Sequence, residues 1–225
     1  MNSESSEFNK LLDKAITISH EYVYYSPSQI DRGDHLKNDP ALGERSWSIP
    51  ETTGRFLYAI ITKLNLQNGL ELGTSTGYST LWIAAALSEQ SYNWKLITIE
   101  RNLEKQKLAQ ELLQDPLGSH IYFENNFIEN YLPTISETKF DFIFMDAERG
   151  KYKDYWNYIK GFLHEKSIVI IDNANRAQKS VIEFQDFLKS DSTLSTYLHP
   201  IDNGLFIVSL SNGDYTNLQD IIDSI

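Results

Sequence analysis

The chain has 225 residues, with 31 Asp and Glu against 20 Lys and Arg and a formal net charge of −11. A chain of this length can bury roughly 70% of its unfolded surface, and 41% apolar with 23% charged residues is a globular composition, far from disordered or fibrous ones. The acidic balance repels nucleic-acid phosphates and anionic lipid headgroups, and the absence of cysteine removes disulfide scaffolds, thiol catalysis and thiolate zinc sites.

Residues 1 to 7 are polar, after which Phe8, Leu11, Leu12, Ala15 and Ile16 recur at helical spacing and predict an amphipathic helix. The first twenty residues are acidic near the start and unlike a secretory signal. No window reaches the ~18 apolar residues of a membrane span, so a cytoplasmic protein without membrane or nucleic-acid partners is expected. Residues 26–48 are rich in Ser, Asp, Gly and Pro and read as a lid or an irregular connection. Tyr24, Tyr25 and Trp47, beside or within it, are placed in core packing in preference to capping an aromatic substrate. Ser48-Ile49-Pro50-Glu51 reads as a helix start with the serine as N-cap, the proline inside the first turn and the glutamate at the capping-box position, followed by Phe56, Leu57, Ile60, Ile61 and Leu64 on one face.

Beyond Asn65 short apolar runs alternate with longer helical ones, the pattern of a parallel α/β sheet with crossover helices. Strands are predicted at Leu70–Leu72, Lys95–Ile99, Ile121–Phe123, Phe140–Met145 and Ile168–Ile171, with helices near 77–88, 103–114, 152–163 and 176–189. The charged helix from Arg101 to Gln114 is read as a solvated face. Tyr197–Ile201 and Leu205–Leu210 flank Asp202-Asn203-Gly204, and Asn-Gly predicts a hairpin, so an antiparallel pair closes the sheet. A single domain is expected, 1–225, with 1–48 as a helical extension and 49–225 as the α/β core.

The most specific segment is Leu70-Glu71-Leu72-Gly73-Thr74-Ser75-Thr76-Gly77-Tyr78-Ser79-Thr80, which leaves a strand, turns through two glycines and enters a helix, so that a ligand can approach bare backbone at a helix N-terminus. The dinucleotide fingerprint places glycines at its first, third and sixth positions, and here Ser75 and Tyr78 take the third and sixth. Glu100, ending the next strand, is placed to accept hydrogen bonds from ribose hydroxyls. Together these describe an adenosyl-ligand site. A second constellation is Asp146, ending one strand, with Asp172 and Asn173 ending the next; all three fall on the sheet edge where ligands bind in open α/β folds. Three oxygen donors suit Mg2+ or another hard divalent cation, whereas the Asp-Asn pair taken alone reads first as turn chemistry. His20, His35, His120, His164 and His199 lack ligand spacing and read as surface or packing residues.

The glycine segment, Glu100, the Asp-Ala-Glu-Arg-x-x-Tyr-x-x-Tyr run from Asp146, the Asp172-Asn173 pair and the closing Asp-Asn-Gly-Leu resemble the S-adenosylmethionine-dependent O-methyltransferases of the catechol and caffeoyl-CoA type, in a bacterial branch. The resemblance covers about Ile49 to Leu210. It implies a class I methyltransferase fold, a Rossmann-like doubly wound sheet, mostly parallel with a C-terminal antiparallel hairpin, plus N-terminal helices. It also implies that Glu71, Gly73, Thr74, Gly77, Tyr78, Ser79, Glu100, Asn126 and Asp146 hold S-adenosyl-L-methionine, and that Asp146, Asp172 and Asn173 hold the divalent cation. Asp146 and Arg149 are the implied catalytic pair. The reaction implied is methyl transfer to a hydroxyl of a small catechol-like or phenolic substrate. The resembling bacterial enzymes are often dimers, and a homodimer using the N-terminal helix is the assembly to expect.

This sequence departs from that family at three places: Asn125-Asn126-Phe127 stands where Gly-Asp-Ala is usual, the segment after Asp172-Asn173 is shorter, and Arg149 replaces the catalytic lysine. Arginine stays protonated near neutral pH. Deprotonation is therefore assigned to a metal-acidified hydroxyl, with Lys151 as the alternative base and Arg149 steadying an oxyanion or a substrate carboxylate, or else paired with Glu148 or Asp154. Two rival readings are a nicotinamide-dependent oxidoreductase, which the Gly73-x-x-x-Gly77 spacing and the terminal hairpin oppose, and an adenosyl-binding protein without catalysis, which Arg149 would permit.

Overall fold

The structure, a computed structural model, describes residues 8, 10–18, 48–114, 117–176, 178–215 and 217–225. Among them, seven strands form one sheet in the order β3-β2-β1-β4-β5-β7-β6. The strands are β1 (Asn68–Leu72), β2 (Lys95–Ile99), β3 (Ile121–Glu124), β4 (Phe142–Met145), β5 (Ile168–Ile171), β6 (Leu194–His199) and β7 (Leu205–Leu210). β1 to β5 pair in parallel, and β7 runs antiparallel between β5 and β6. This is the mostly parallel doubly wound sheet with a closing hairpin that the sequence predicts.

Strands β4 and β5 are apolar throughout because both of their faces are covered. Phe142, Phe144, Ile168 and Ile170 point into one core with α2 (Glu51–Leu64) and α3 (Tyr78–Ser88). Their alternates Ile143, Met145, Val169 and Ile171 point into the other with α6 (Tyr152–Phe162) and α7 (Lys179–Lys189), as the two-residue period of a strand requires. Helix α3 is buried on nearly every side, and Gly54 lets α2 approach it: a Cβ there would lie 2.3 Å from the Trp82 ring. Residues 10–18 form α1, with Leu12 and Ala15 buried in the first core. The sheet's other crossover, α4 (Leu103–Leu112), is followed by the short α5 (Ile128–Tyr131), and α8 (Leu218–Ile222) ends the chain. Among the described residues no helix is long and apolar enough to cross a membrane.

Several sequence expectations are corrected. Helix α2 begins at Glu51 with Pro50 in the N-cap position, so the proline sits outside the first turn and Ser48 is not the cap. Helix α4 is not a plain solvated face: Lys105 and Gln106 are buried on its sheet side. Strand β6 spans Leu194–His199, pairing His199 with Leu205, so the hairpin connection is Pro200–Gly204 and not the three residues Asp202-Asn203-Gly204. Positive φ falls on Asp202 and Gly204, because the turn is shaped by what it touches. The Asp202 carboxylate accepts from Thr52 Oγ1 (2.5 Å) and Thr53 Oγ1 (2.6 Å) at the start of α2. The carbonyls of Asn203 and Gly204 accept from the N–H groups of Asn175 (2.7 Å) and Ala174 (2.9 Å).

The proposed lid, 26–48, lies outside the described residues apart from Ser48, as do Tyr24, Tyr25, Trp47, His20 and His35. The other histidines are packed: His120 stacks on Trp94, His199 on Phe56, and His164 lies 3.0 Å from Asp141.

Candidate active site

The strand order reverses between β1 and β4, and a cleft of about 570 Å³ opens there at the C-terminal edge of the sheet, the position where open α/β sheets bind ligands. One wall starts at Gly73 (φ +104°), where a Cβ would sit 2.1 Å from the Asp146 carbonyl oxygen. Only glycine tolerates that backbone and that approach. The Gly73 and Thr74 N–H groups donate to the Ile99 carbonyl (3.1 and 3.2 Å), tying the turn to the end of β2. Gly77 (φ +91°) precedes α3 and packs on α4, with a Cβ there 2.9 Å from that of Ala109. The Gly73-x-x-x-Gly77 spacing thus has a steric cause at each end.

Glu100 is held across this turn. Its Oε2 accepts from Ser75 N–H (3.0 Å) and its Oε1 from Asn102 N–H (2.8 Å), which fixes the carboxylate at the cleft and leaves acceptor capacity for a diol. Gly73, Glu100, Asn126 and Asp146 border the cleft, whereas Glu71, Thr74, Gly77, Tyr78 and Ser79 do not. Glu71 is fully buried behind the loop, accepting from Ser79, Thr80 and Thr98 hydroxyls at 2.6 Å each. Thr74 and Thr98 share a hydroxyl contact of 2.5 Å. Burial raises the Glu71 carboxyl above the usual range against the opposing pull of those three bonds. This network shapes the turn from beneath.

Across the cleft, Asp146 and Asp172 extend β4 and β5, each N–H still donating to the neighbouring strand (Asp146 to Leu72, Asp172 to Met145, 3.0 Å each). Asn173, in the left-handed region at φ +63°, donates through Nδ2 to Asp146 Oδ1 (3.2 Å) and Asp172 Oδ2 (2.9 Å). The three predicted residues therefore meet, but Asn173 turns its amide nitrogen to the two carboxylates and its oxygen to Arg176 Nε (3.0 Å). Desolvation, then the charge of Asp172, pushes the Asp146 carboxyl up to about 8, and desolvation raises Asp172 as well. Two carboxylates that resist ionising side by side, with an amide between them, fit a hard divalent cation in donor type. No cluster of three or more His, Asp or Glu side chains with metal-binding geometry occurs among the described residues.

Arg149 lines the same cleft, its Nε donating to Gln178 Oε1 (3.2 Å), and it does not pair with Glu148 or Asp154. Lys151 is bound to Glu129 (2.7 Å) and Glu148 (3.5 Å), and the Glu129 bond raises its pKa. An ammonium so held is a poor base. Sequence reasoning missed Arg101, Lys105, Phe127 and Arg176, all of which line the cleft. Phe127 is 48% exposed with the Arg101 guanidinium 6.0 Å from its ring centroid, an arrangement with a flat apolar face for a base to stack on. The Glu100-Arg101 adjacency was the available signal for that pair. Lys105 carries no motif, and burial lowers its pKa beside Glu100.

A family model described as O-methyltransferase matches residues 41–210. The chain is 31% identical over 140 residues to a catechol O-methyltransferase from Niastella koreensis, covering 60% of this chain and 62% of that one. To a caffeoyl-CoA O-methyltransferase from Populus kitakamiensis it is 28% identical over 134 residues, covering 56% and 54%. It thus spans less than two thirds of either relative. In three dimensions it is similar to an O-methyltransferase from Bacillus cereus in complex with SAH (TM-score 0.68, 19% identity, 87% and 99% coverage). It is likewise similar to the O-methyltransferase TomG from Streptomyces achromogenes in complex with SAM (TM-score 0.66, 19% identity, 85% and 96%). The sheet order, the glycine turn and the matched span agree, and the chain belongs to the O-methyltransferase family.

Proposed function

We propose that the protein transfers the methyl group of S-adenosylmethionine to a hydroxyl oxygen of a small, catechol-like or phenolic acceptor, assisted by Mg2+ or a similar cation. The observation that carries this is the carboxylate of Glu100, pinned by two backbone N–H groups over a bare glycine turn and facing the same cleft as Asp146 and Asp172. A ribose diol is the natural partner of that carboxylate, and Gly73 leaves the space a side chain would fill. Phe127 and Arg101 offer the base a stacking face. Asp146, Asp172 and, after rotation of its amide away from Arg176 Nε, Asn173 would hold the cation, which would supply acidification of a bound hydroxyl.

The remaining work is alignment and charge. Arginine at 149 cannot take a proton near neutral pH, and Lys151 is committed to Glu129, so this chain's residues hold the acceptor and favour its anionic form instead of offering an amine base. Nucleophilic attack of that oxygen on the methyl carbon needs no covalent protein intermediate, and holding the two in line is where much of the acceleration arises. The nicotinamide reading has no support from the family match. In this reading the protein works in the cytoplasm, with no nucleic-acid or membrane partner.

The test is formation of S-adenosylhomocysteine across catechols, phenolic acids and their CoA esters, with Mg2+ and with EDTA. Cation-dependent product from one class is expected. Tight S-adenosylmethionine binding without product from any acceptor would replace this reading with the non-catalytic one.

A further inference from the structure

The described residues include four arginines, and they divide in two. Arg55 pairs with Glu51 at 2.6 Å and Arg101 lies 3.8 Å from Glu148. Among the described residues, Arg149 and Arg176 have no carboxylate within ion-pair distance, although both line the cleft with Asp146 and Asp172. Each spends only its Nε, on a neutral amide oxygen: Arg149 on Gln178 Oε1 (3.2 Å) and Arg176 on Asn173 Oδ1 (3.0 Å). Their terminal amino groups make no hydrogen bond to a described residue. In a chain with net charge −11, two guanidinium forks thus face one cleft without an ion-paired carboxylate among the described residues, their charge acting on Asp146 and Asp172 from a distance. The other cations around the cleft are accounted for: Lys151 is held by Glu129, and Lys105 sits beside Glu100.

A guanidinium fork matches the two oxygens of a carboxylate or phosphate. A cation held by Asp146 and Asp172 would occupy their negative charge and leave both arginines without a counter-charge. We propose that Arg149 and Arg176 form an anion clamp for the methyl acceptor, which is a hydroxy acid: its carboxylate binds the two forks while its hydroxyl lies beside Asp146 and Asp172. This rests on the methyl-transfer reading only in placing the acceptor there. It makes Arg149 and Arg176 specificity-determining residues, and it gives a reason for arginine where the resembling enzymes carry lysine: the fork grips a carboxylate that a proton-accepting amine would not orient.

The experiment is calorimetric binding to protein saturated with S-adenosylhomocysteine and Mg2+, using 3,4-dihydroxybenzoate, the uncharged 3,4-dihydroxybenzamide and 3,4-dihydroxyphenyl phosphate. The benzoate should bind at least tenfold more tightly than the benzamide, with the difference shrinking as salt is raised. Arg149→Gln and Arg176→Gln should each remove most of that preference while keeping a wild-type thermal melt, and Arg149→Lys should keep part of it. Equal affinity for benzoate and benzamide, no binding of the benzoate, or a preference that survives both glutamine substitutions would overturn the clamp. Tighter binding of the phosphate than the benzoate would overturn the carboxylate assignment. Parallel turnover separates the two readings: a carboxylate preference in binding with no S-adenosylhomocysteine formed from any acceptor sinks methyl transfer and keeps the clamp. Equal kcat/KM for benzoate and benzamide does the reverse.

Discussion

Glu100 is positioned before any ligand arrives. Because Ser75 and Asn102 N–H groups hold its two oxygens, the carboxylate loses little freedom when it meets a diol, and charge-assisted bonds of this kind are the strong ones. Glu100→Ala should weaken S-adenosylhomocysteine binding at least tenfold by calorimetry and lower stability by only about 1 kcal/mol, since the two freed N–H groups border an open cleft. Asp146 gives a different signature. Its native pKa is raised to about 8, so the folded chain keeps a proton that the unfolded chain has already lost above the ordinary aspartate range. Stability without metal should therefore fall as pH rises from about 4 to 8 and stay reduced above that, by the linkage between proton binding and folding. Thermal melts in EDTA should show this slope, and Asp146→Asn should reduce it and raise Tm at pH 8.5, the remainder belonging to Asp172 and Glu71, whose carboxyls are also raised. A wild-type melt independent of pH over that range would show that Asp146 ionises freely. The residues of these arguments were readable in the sequence because acids at strand ends have a fixed meaning in this architecture. Arg176 and Lys105 were not, because nothing local distinguishes a cation that faces a cleft from one that faces solvent.

At the scale of elements, the glycine turn is a steric device shared by three strands and two helices. Gly73→Ala would force a Cβ into the Asp146 carbonyl at a backbone conformation that alanine resists, so it should cost several kcal/mol by both mechanisms and abolish cofactor binding. Gly161, inside α6, meets nothing within 4 Å, and Gly161→Ala should stabilise by about 0.4–1 kcal/mol. Chemical denaturation of the two variants side by side checks both. Strand β5 was read at its observed bounds, Ile168–Ile171, because a strand covered on both faces is an unbroken apolar run. Strand β6 was misread by several residues because Leu194–His199 is an edge strand of mixed polarity and no residue in it is fully buried. The Asn-Gly signal then outweighed the true register. The buried side of α4 was missed for a related reason: the long stem of Lys105 can be buried while the sequence records only its charge.

For the whole molecule, a ligand that binds only the folded state stabilises all of it. S-adenosylhomocysteine at one hundred times its dissociation constant should add about 2.7 kcal/mol, seen as a rise in Tm, whereas NADH should leave the melt unchanged; a rise with NADH alone would reverse the cofactor assignment. The parallel α/β class and the places of β1 to β5 along the chain were legible, since alternating strand and helix patterns leave few topologies, but their order across the sheet was not. The insertion of β7 between β5 and β6 was not, because it depends on pairings far apart in the chain.

The turn at Pro200–Gly204 gives the molecule a timetable. Its bonds join Thr52 and Thr53, Ala174 and Asn175, and Asp202 to Gly204, so the loop carrying Asp172 and Asn173 acquires its final support only once Asp202 to Gly204 has been made. During synthesis the glycine turn and Glu100 can settle while the acidic pair still waits for its buttress. A nascent chain stalled before Asp202 would then present half an active site, able to fold around one substrate's position but with no finished seat for the other.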